Sequence, residues 1–318
     1  MEVIKKIPLK DRLLDFHLDE NAEIIYIRDY PKNLISILDC KTSKIIKEIS
    51  IEKPHDIALN PKSNRLLVPS GSRGLVNKIN PSISIIDTVS HEIIDLIEYK
   101  EEKIPGFILR CNSETNSFYF ENKGNLSLIH GDDYSLEKSI IENQKIHHFE
   151  IDQNKNILYC INKKANSILI FDGSNYELRK TIPINLSCAS IWKLLLNPHK
   201  NLIYLWYVWG SEGGTNRFYM DVLDTEGNIL VKDKKFGFVD NVTISISSGN
   251  VYVTKSNRSE IYKFDYLLQN TLEMLQIKKL KGFRDKLLKG SDFWNPVFDS
   301  KHDKIYVGDG KELLIIKD

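Results

Sequence analysis

PHDIALNPKSNRLLV at residues 54–68 and SISIIDTVSHEIIDLI at residues 82–97 decide the fold. Each stretch holds two short β-rich runs divided by a turn of Asn, Asp, Ser, Thr, Lys or His, so the pair reads as four strands and their turns. The same unit recurs along the chain. An apolar-Tyr-apolar triplet stands at Ile25-Tyr26-Ile27, Phe118-Tyr119-Phe120, Leu158-Tyr159-Cys160, Ile203-Tyr204-Leu205, Val251-Tyr252-Val253 and Ile305-Tyr306-Val307, and Leu66-Leu67-Val68 fills the remaining slot. Seven positions before the central residue comes Asp or Asn, at Asp19, Asn112, Asp152, Asn197 and Asp299. Asn60 is read one place off this register, and the sixth repeat is read with a shorter turn. Downstream, a third run ends in Asp at Asp39, Asp87, Asp172, Asp224, Asp265 and Asp318, while the third repeat has LSLIHG, ending at Gly131. A fourth run follows, as in KIIKEISI at 44–51 and LRKTIPI at 178–184.

A period of about 45 residues carrying four strands is the mark of a propeller blade. Seven such units fit the 318 residues. The seventh has three strands and ends at Asp318, and residues 2–8, EVIKKIP, form an orphan fourth strand that would complete it. The predicted fold is all-β: a seven-bladed β-propeller of four-stranded antiparallel blades, one domain over 1–318, its ring closed by the N-terminal strand. Closure removes open sheet edges, whereas the alternative, an open solenoid, leaves the orphan strand unexplained.

PHDIALNPKSNRLLV, SISIIDTVSHEIIDLI and VYVTKSN (251–257) resemble the YVTN-type (YncE-like) seven-bladed propellers, and the likeness runs through essentially the whole chain. The sequence departs from that pattern at Leu67, Lys255 and Gly131. WD40 blades share an Asp-ended third strand, but their Gly-His and Trp-Asp pairs do not occur in this sequence. The resemblance implies a propeller with one working face, in a family whose activities are mostly those of binding scaffolds.

Lys and Arg number 44 against 43 Asp and Glu, so no global field selects nucleic acid or an anionic membrane. A hydrophobic share of 42% with 27% charged residues supplies a core and argues against disorder. The opening MEVIKKIPLKDRLL lacks the apolar run of a signal peptide, and no window is long and apolar enough to span a membrane, which reads as cytoplasmic. Cys40, Cys111, Cys160 and Cys188 have no CxxC spacing and are expected to stay reduced.

In a blade the first strand lines the central channel and its side chains alternate between channel and packed sheets. Ten and eight positions before the triplet centre the residues are apolar: Phe16, Ile57, Leu109, Phe149, Leu194 and Pro296, then Leu18, Leu59, Cys111, Ile151, Leu196 and Phe298. Eleven and nine positions before it stand Asp15, Asp56, Ile108, His148, Lys193 and Asn295, then His17, Ala58, Arg110, Glu150, Leu195 and Val297, with Thr243 and Ser245 from the sixth blade. The polar parity is expected to face the channel. Asp15, Asp56 and His148 are the candidate ligands for a divalent cation, Ca, Mg, Mn or Zn, since carboxylates are hard-oxygen ligands and imidazole suits Zn and Mn. His17 and Lys193 are the candidate proton carriers. Arg110 and Glu150 read as a structural ion pair. His147 and His148, being adjacent on a strand, cannot both face the channel.

Three long connections, 69–82, 206–218 and 278–294, are predicted to emerge on one face, where Trp192, Trp206, Trp209, Trp294, Asn295 and His55 would form a ligand- or partner-binding surface. The basic run Lys278, Lys279, Lys281, Arg284, Lys286 and Lys289 reads as a solvated face, so nucleic acid is not the expected partner. Neither GSRGLVNK nor GSEGGT is a phosphate loop, and no HExxH or GxSxG occurs. These readings predict a binding scaffold or accessory factor for a small ligand or protein; the alternative is a metal-assisted hydrolase or lyase of lactonase type, with its site at the top of the channel.

Overall fold

Every apolar-Tyr-apolar triplet falls within a second strand, and its tyrosine is buried: Tyr26, Tyr119, Tyr159, Tyr204, Tyr252 and Tyr306 are all 3% exposed or less. A residue that is aromatic, flat and polar at one end suits this place, because its ring fills the gap between sheets and its hydroxyl finds an acceptor at the rim. Tyr204 shows the arrangement, donating its hydroxyl proton to the Tyr266 carbonyl oxygen at 2.9 Å.

The computed structural model describes residues 1–9, 15–71, 81–98, 108–184, 189–209, 217–237, 241–245, 248–255, 260–277, 293–309 and 311–318. Strands β1 (Glu2–Pro8), β2 (Asp15–Asp19), β3 (Ile24–Asp29), β4 (Leu34–Asp39) and β5 (Lys44–Ser50) are followed by β6 (Ala58–Asn60), β7 (Arg65–Ser70), β8 (Ser82–Asp87) and β9 (Glu92–Glu98). Then come β10 (Leu109–Asn112), β11 (Ser117–Asn122), β12 (Asn125–His130), β13 (Leu136–Ile141), β14 (Ile146–Asp152), β15 (Ile157–Asn162), β16 (Ser167–Asp172) and β17 (Leu178–Pro183). The remainder are β18 (Ala189–Asn197), β19 (Leu202–Trp209), β20 (Arg217–Asp224), β21 (Ile229–Gly237), β22 (Asn241–Ile244), β23 (Val251–Lys255), β24 (Glu260–Phe264), β25 (Thr271–Gln276), β26 (Phe293–Asp299), β27 (Lys304–Asp309) and β28 (Glu312–Lys317). Among the described residues there is no helix, and so none long and apolar enough to cross a membrane.

The strands form seven four-stranded sheets, six of them in consecutive order from β2 to β25. The seventh runs β1-β28-β27-β26. Strand β1 pairs antiparallel with β28, from Glu2 against Lys317 to Pro8 against Glu312, so the N-terminal strand completes the last blade as its spacing predicts. The fold is a seven-bladed β-propeller.

By compactness the chain divides into two units, Asn21–Asn185 and Met1–Glu20 with Leu186–Asp318. Within the first, Tyr26, Ile35 and Ile37 pack on Ile57, Leu66 and Val68 of the next blade. Ala58, Leu67 and Ile83 pack on Leu109, Phe118 and Phe120 in turn, and Tyr119 and Leu126 on Phe149 and Leu158. In the second unit, Tyr204, Trp206 and Met220 join Val242, Val253 and Phe264, and Tyr252 and Ile261 join Phe298, Ile305 and Leu314. Each such side chain contributes about 1.5–3 kcal/mol by leaving water.

The repeated Asp and Asn residues are turn caps. Asp39 Oδ1 accepts the amides of Lys41 and Thr42 at 2.7 and 3.1 Å, and Asp87 Oδ1 those of Val89 and Ser90 at 2.9 and 2.8 Å. Both carboxyls are held below the usual carboxylate range, first of all by the Thr42 and Ser90 amides. At the other turn, the residue that ends the first strand, or in the sixth blade the one that follows it, is buried in blade after blade: Asn60, Asn112, Asn197, Ser245 and Asp299 are 0% exposed. Asn60 and Asn112 reach across to the neighbouring blade, donating from Nδ2 to Oδ1 of Asn116 and Asn156 at 2.9 Å each.

The pairing corrects three points of register. Asn60 faces Arg65 as Asn112 faces Ser117 and Asp152 faces Ile157, so it stands in register with the others. The sixth turn is of ordinary length: Ser245 bonds Asn250, its Oγ caps the amide of Ser248 at 3.2 Å, and Ser245 is therefore the turn cap rather than a channel residue. In the third blade His130, opposite Ser117, takes the place that Asp172 holds opposite Ile157, one residue before Gly131. Gly131 matches Gly173, and both are glycine for want of space: an added Cβ would lie 2.3 Å from Asn116 Oδ1 at the former and 2.2 Å from Asn156 Oδ1 at the latter.

Candidate functional site

The first strands follow the expected alternation. Phe16, Ile57, Leu109, Phe149 and Leu194 are at most 2% exposed, and the apolar column two residues on is less completely covered, with Ile151 at 9% and Phe298 at 7%. The polar column turns out to stitch strands together. Asp56 stands ahead of β6, where backbone amides lack a ladder partner, and its Oδ1 accepts the amide of Ile57 at 2.8 Å. Its Oδ2 accepts the amide of Leu109, in the next blade, also at 2.8 Å. In the other unit Asn241 Oδ1 accepts the Val242 amide at 2.9 Å, and Lys193 Nζ donates to the Val242 carbonyl oxygen at 3.4 Å.

Around Asp56 the structure builds a charge cluster on three successive blades. Arg110 Nε donates to Glu150 Oε1 at 2.9 Å, its Nη1 bonds the Leu109 carbonyl oxygen at 2.8 Å and lies 3.6 Å from Asp56 Oδ2. The three side chains are 24%, 20% and 13% exposed, so solvent screens them only in part. One guanidinium between two carboxylates leaves a formal charge of −1. The ion pair expected from sequence is present, and it extends to Asp56.

His148, two residues before Glu150 on β14, is buried at 7% exposure, while its neighbour His147 is exposed. A register shift between Ile146 and His148 separates their environments. Both Asp56 oxygens accept backbone amides, and Arg110 sets a positive charge beside them. Among the described residues, no three of His, Cys, Asp and Glu come together as a metal centre.

His17 lies on β2, partly exposed. His55, placed by sequence on a binding surface, is 7% exposed and acts as a latch: its ring nitrogen Nε2 bonds the Gly71 carbonyl oxygen at 2.9 Å, so that nitrogen carries the proton. Its ring packs against Tyr30 with centroids 5.4 Å apart. Trp206 needs correcting outright. It is 2% exposed inside the core, stacked on Phe218 at 5.3 Å and tilted against Phe236 at 5.5 Å, because it alternates inward on a strand that continues past it. The side chains of Asp15, Trp192, Trp209, Trp294 and Asn295 lie outside the described residues, although their backbone positions are on β2, β18, β19 and β26. Most of the three long connections, the basic run 278–289 and Cys188 also lie outside them.

Sequence reasoning missed one polar cluster, in which Tyr207 and Asp221 are buried and Asp233 is exposed. Tyr207 Oη lies 2.7 Å from Asp221 Oδ1 and 2.6 Å from Asp233 Oδ1, and the Asp233 amide donates to the same Asp221 oxygen at 2.7 Å. A phenol has one proton to donate, so the two carboxylates compete for it. Burial pushes the Asp221 carboxyl up, and burial followed by both carboxylates pushes the Tyr207 phenol up. The available signal was Asp221 itself, an acid in the middle of a third strand, opposite Leu205 as Leu169 is opposite Cys160.

With this geometry in view, comparison with known proteins agrees on the architecture. The DUF5128 family model, described as a 6-bladed beta-propeller, matches residues 142–292, slightly under half of the chain. The blade number follows from strand pairing and is seven. Among solved structures, hydrazine synthase of Kuenenia stuttgartiensis is similar over 98% of this chain and 96% of its own, with a TM-score of 0.70 and 12% identity. The Cps50 (Swd1) beta-propeller domain of Myceliophteria thermophila is similar over 99% of both chains, with a TM-score of 0.67 and 9% identity. At such identities the likeness is one of fold. No curated protein matches the chain.

Proposed function

We propose that this protein is a binding propeller, a scaffold or accessory factor that holds a small ligand or partner protein on the strand ends carrying Trp192, Trp209 and Trp294. The observation behind this reading is the register of the second unit. Trp209 pairs with Ala189 at the leading end of β18, near Trp192, and Trp294 pairs with Gly308 at the leading end of β26, while β22 lies against both strands. The connections 210–216 and 277–292 adjoin these ends. Long connections on a rigid scaffold are where binding residues concentrate, and tryptophan offers a broad apolar face with one polar handle.

The polar first-strand residues support the same reading from the other side, since Asp56, Arg110 and Glu150 are engaged with one another and with neighbouring backbone. The solved relatives include a domain titled Swd1 and an enzyme, hydrazine synthase, so the fold alone does not choose the work done. The YVTN-type reading of the repeat is part of the proposal, supported by the buried tyrosine of six second strands. So is a cytoplasmic setting, supported by the free thiols Cys40, Cys111 and Cys160. Burial pushes the Cys111 thiol up to about 12, which keeps it unreactive.

Quantitative affinity capture with the full chain tests the reading, comparing wild type with Trp209→Ala, Trp294→Ala and Arg110→Ala. Specific partners should be lost with the two tryptophan variants and kept with Arg110→Ala. Retention by both tryptophan variants would overturn the assignment of the surface.

A further inference from the structure

Among the described residues, thirteen large apolar side chains are exposed, and six of them fall on two neighbouring blades: Ile45 and Ile46 on β5, Ile93, Ile94 and Leu96 on β9, and Val89 in the turn before β9. Their exposures run from 38% to 72%, and exposed apolar side chains gathered in one region mark an interaction surface. Both strands are the last in their sheets. Each carries a bulge: Ile45 faces Leu38 and Lys47 faces Ile37, so Ile46 falls outside the ladder, and Ile94 does the same between Ile93 and Asp95. A bulge turns an edge away from strand addition, so whatever covers these residues packs on side chains.

The two strands are joined into one patch by the ion pair between Lys47 and Glu92. Their charges are opposite. Strand β5 presents Lys44 and Lys47, with Glu48 its single acid, and β9 presents Glu92, Asp95 and Glu98 with no base. A half-turn about an axis between the two strands, near the Lys47–Glu92 pair, would bring the basic strand of one copy opposite the acidic strand of another, twice over. A patch that complements itself under a two-fold rotation is what a closed symmetric dimer requires.

We propose that a second copy of this chain covers this patch, in a two-fold dimer whose axis passes near Lys47 and Glu92. The proposal concerns residues other than those of the binding reading and does not rest on it.

Sedimentation of the full chain across micromolar concentrations tests it. The wild type should sediment as a dimer. Ile46→Lys and Ile94→Lys, at exposed positions that the fold tolerates, should each weaken association at least about tenfold with an unchanged melting temperature. Lys44→Glu, which removes a positive charge from the basic strand, should weaken it as well. A wild type that stays monomeric throughout, or a dimer indifferent to both isoleucine changes, would overturn the proposal.

Discussion

Asp56 Oδ2 accepts a hydrogen bond from the backbone amide of Leu109 at 2.8 Å, across the boundary between two blades. Leu109 is 1% exposed, so its amide has no water to turn to. Asp56→Ala should therefore lower stability by about 1–3 kcal/mol, the usual penalty of orphaning a buried donor. Asp56→Asn, which keeps an acceptor oxygen, should lose less. Urea denaturation checks both, and the loss should be the same with and without a chelator, since the carboxylate's ligands are amides.

Arg110 and Glu150 are suited to a double-mutant cycle. Their coupling should come out at about 0.5–1 kcal/mol, in keeping with a partly exposed pair, and should shrink as salt is added. A coupling indistinguishable from zero at low salt would show that the observed 2.9 Å bond adds nothing to stability.

Gly173→Ala should destabilise by about 1–3 kcal/mol, because the new methyl group meets Asn156 Oδ1 at 2.2 Å and that amide already accepts from Asn112. Thermal melts of Gly173→Ala and of the double variant with Asn156→Ala check the cause. If the clash is responsible, the double variant should recover part of the loss.

Trp206→Ala should cost about 3–5 kcal/mol, the range for removing a large aromatic side chain from a packed core. The same change at Trp209, if that residue serves binding, should leave the melting temperature nearly unchanged and reduce partner capture. The two tryptophans are three residues apart on one strand, so the comparison sets the buried Trp206 against the proposed binding residue.

The Tyr207, Asp221 and Asp233 cluster makes a pH prediction. Asp221 is raised in the folded protein by burial, which outweighs the hydrogen bonds it accepts from the Asp233 amide and the Tyr207 hydroxyl. A raised folded value means the folded state holds the proton more tightly, so this contribution is present below the ordinary carboxylate range and is lost as pH rises through the folded pKa. Asp39 and Asp87 work in the opposite sense: they are lowered, and their contribution is lost as pH falls through their folded values. Chemical denaturation across pH should show Asp221→Asn removing the loss on the rising side and leaving the acid side in place.

The periodicity of the chain was enough to predict the blades. Burial of Tyr26, Tyr119 and Tyr306 follows from their place in the triplets, the Asp39 and Asp87 turns follow from their spacing, and β1 was legible as a strand lacking a partner. These are local properties, since alternation, turn chemistry and strand propensity act over a few residues. Register was less legible at His130, because it is set by which residue faces which across a ladder, whereas Asn60 and Ser245 stand seven positions before Leu67 and Tyr252 and their register follows from counting alone.

The functional reading of the first strands depended on contacts between residues distant in the chain. Sequence alone determined that Asp56, Arg110 and Glu150 share the polar parity. Only the tertiary structure decided that the Asp56 oxygens go to the Ile57 and Leu109 amides, that Trp206 turns inward, and that Tyr207 meets two carboxylates. The reason is physical: a side chain's parity is fixed by the strand it belongs to, but its partner is fixed by the neighbouring blade, and hydrogen bonds are won or lost at a few tenths of an ångström.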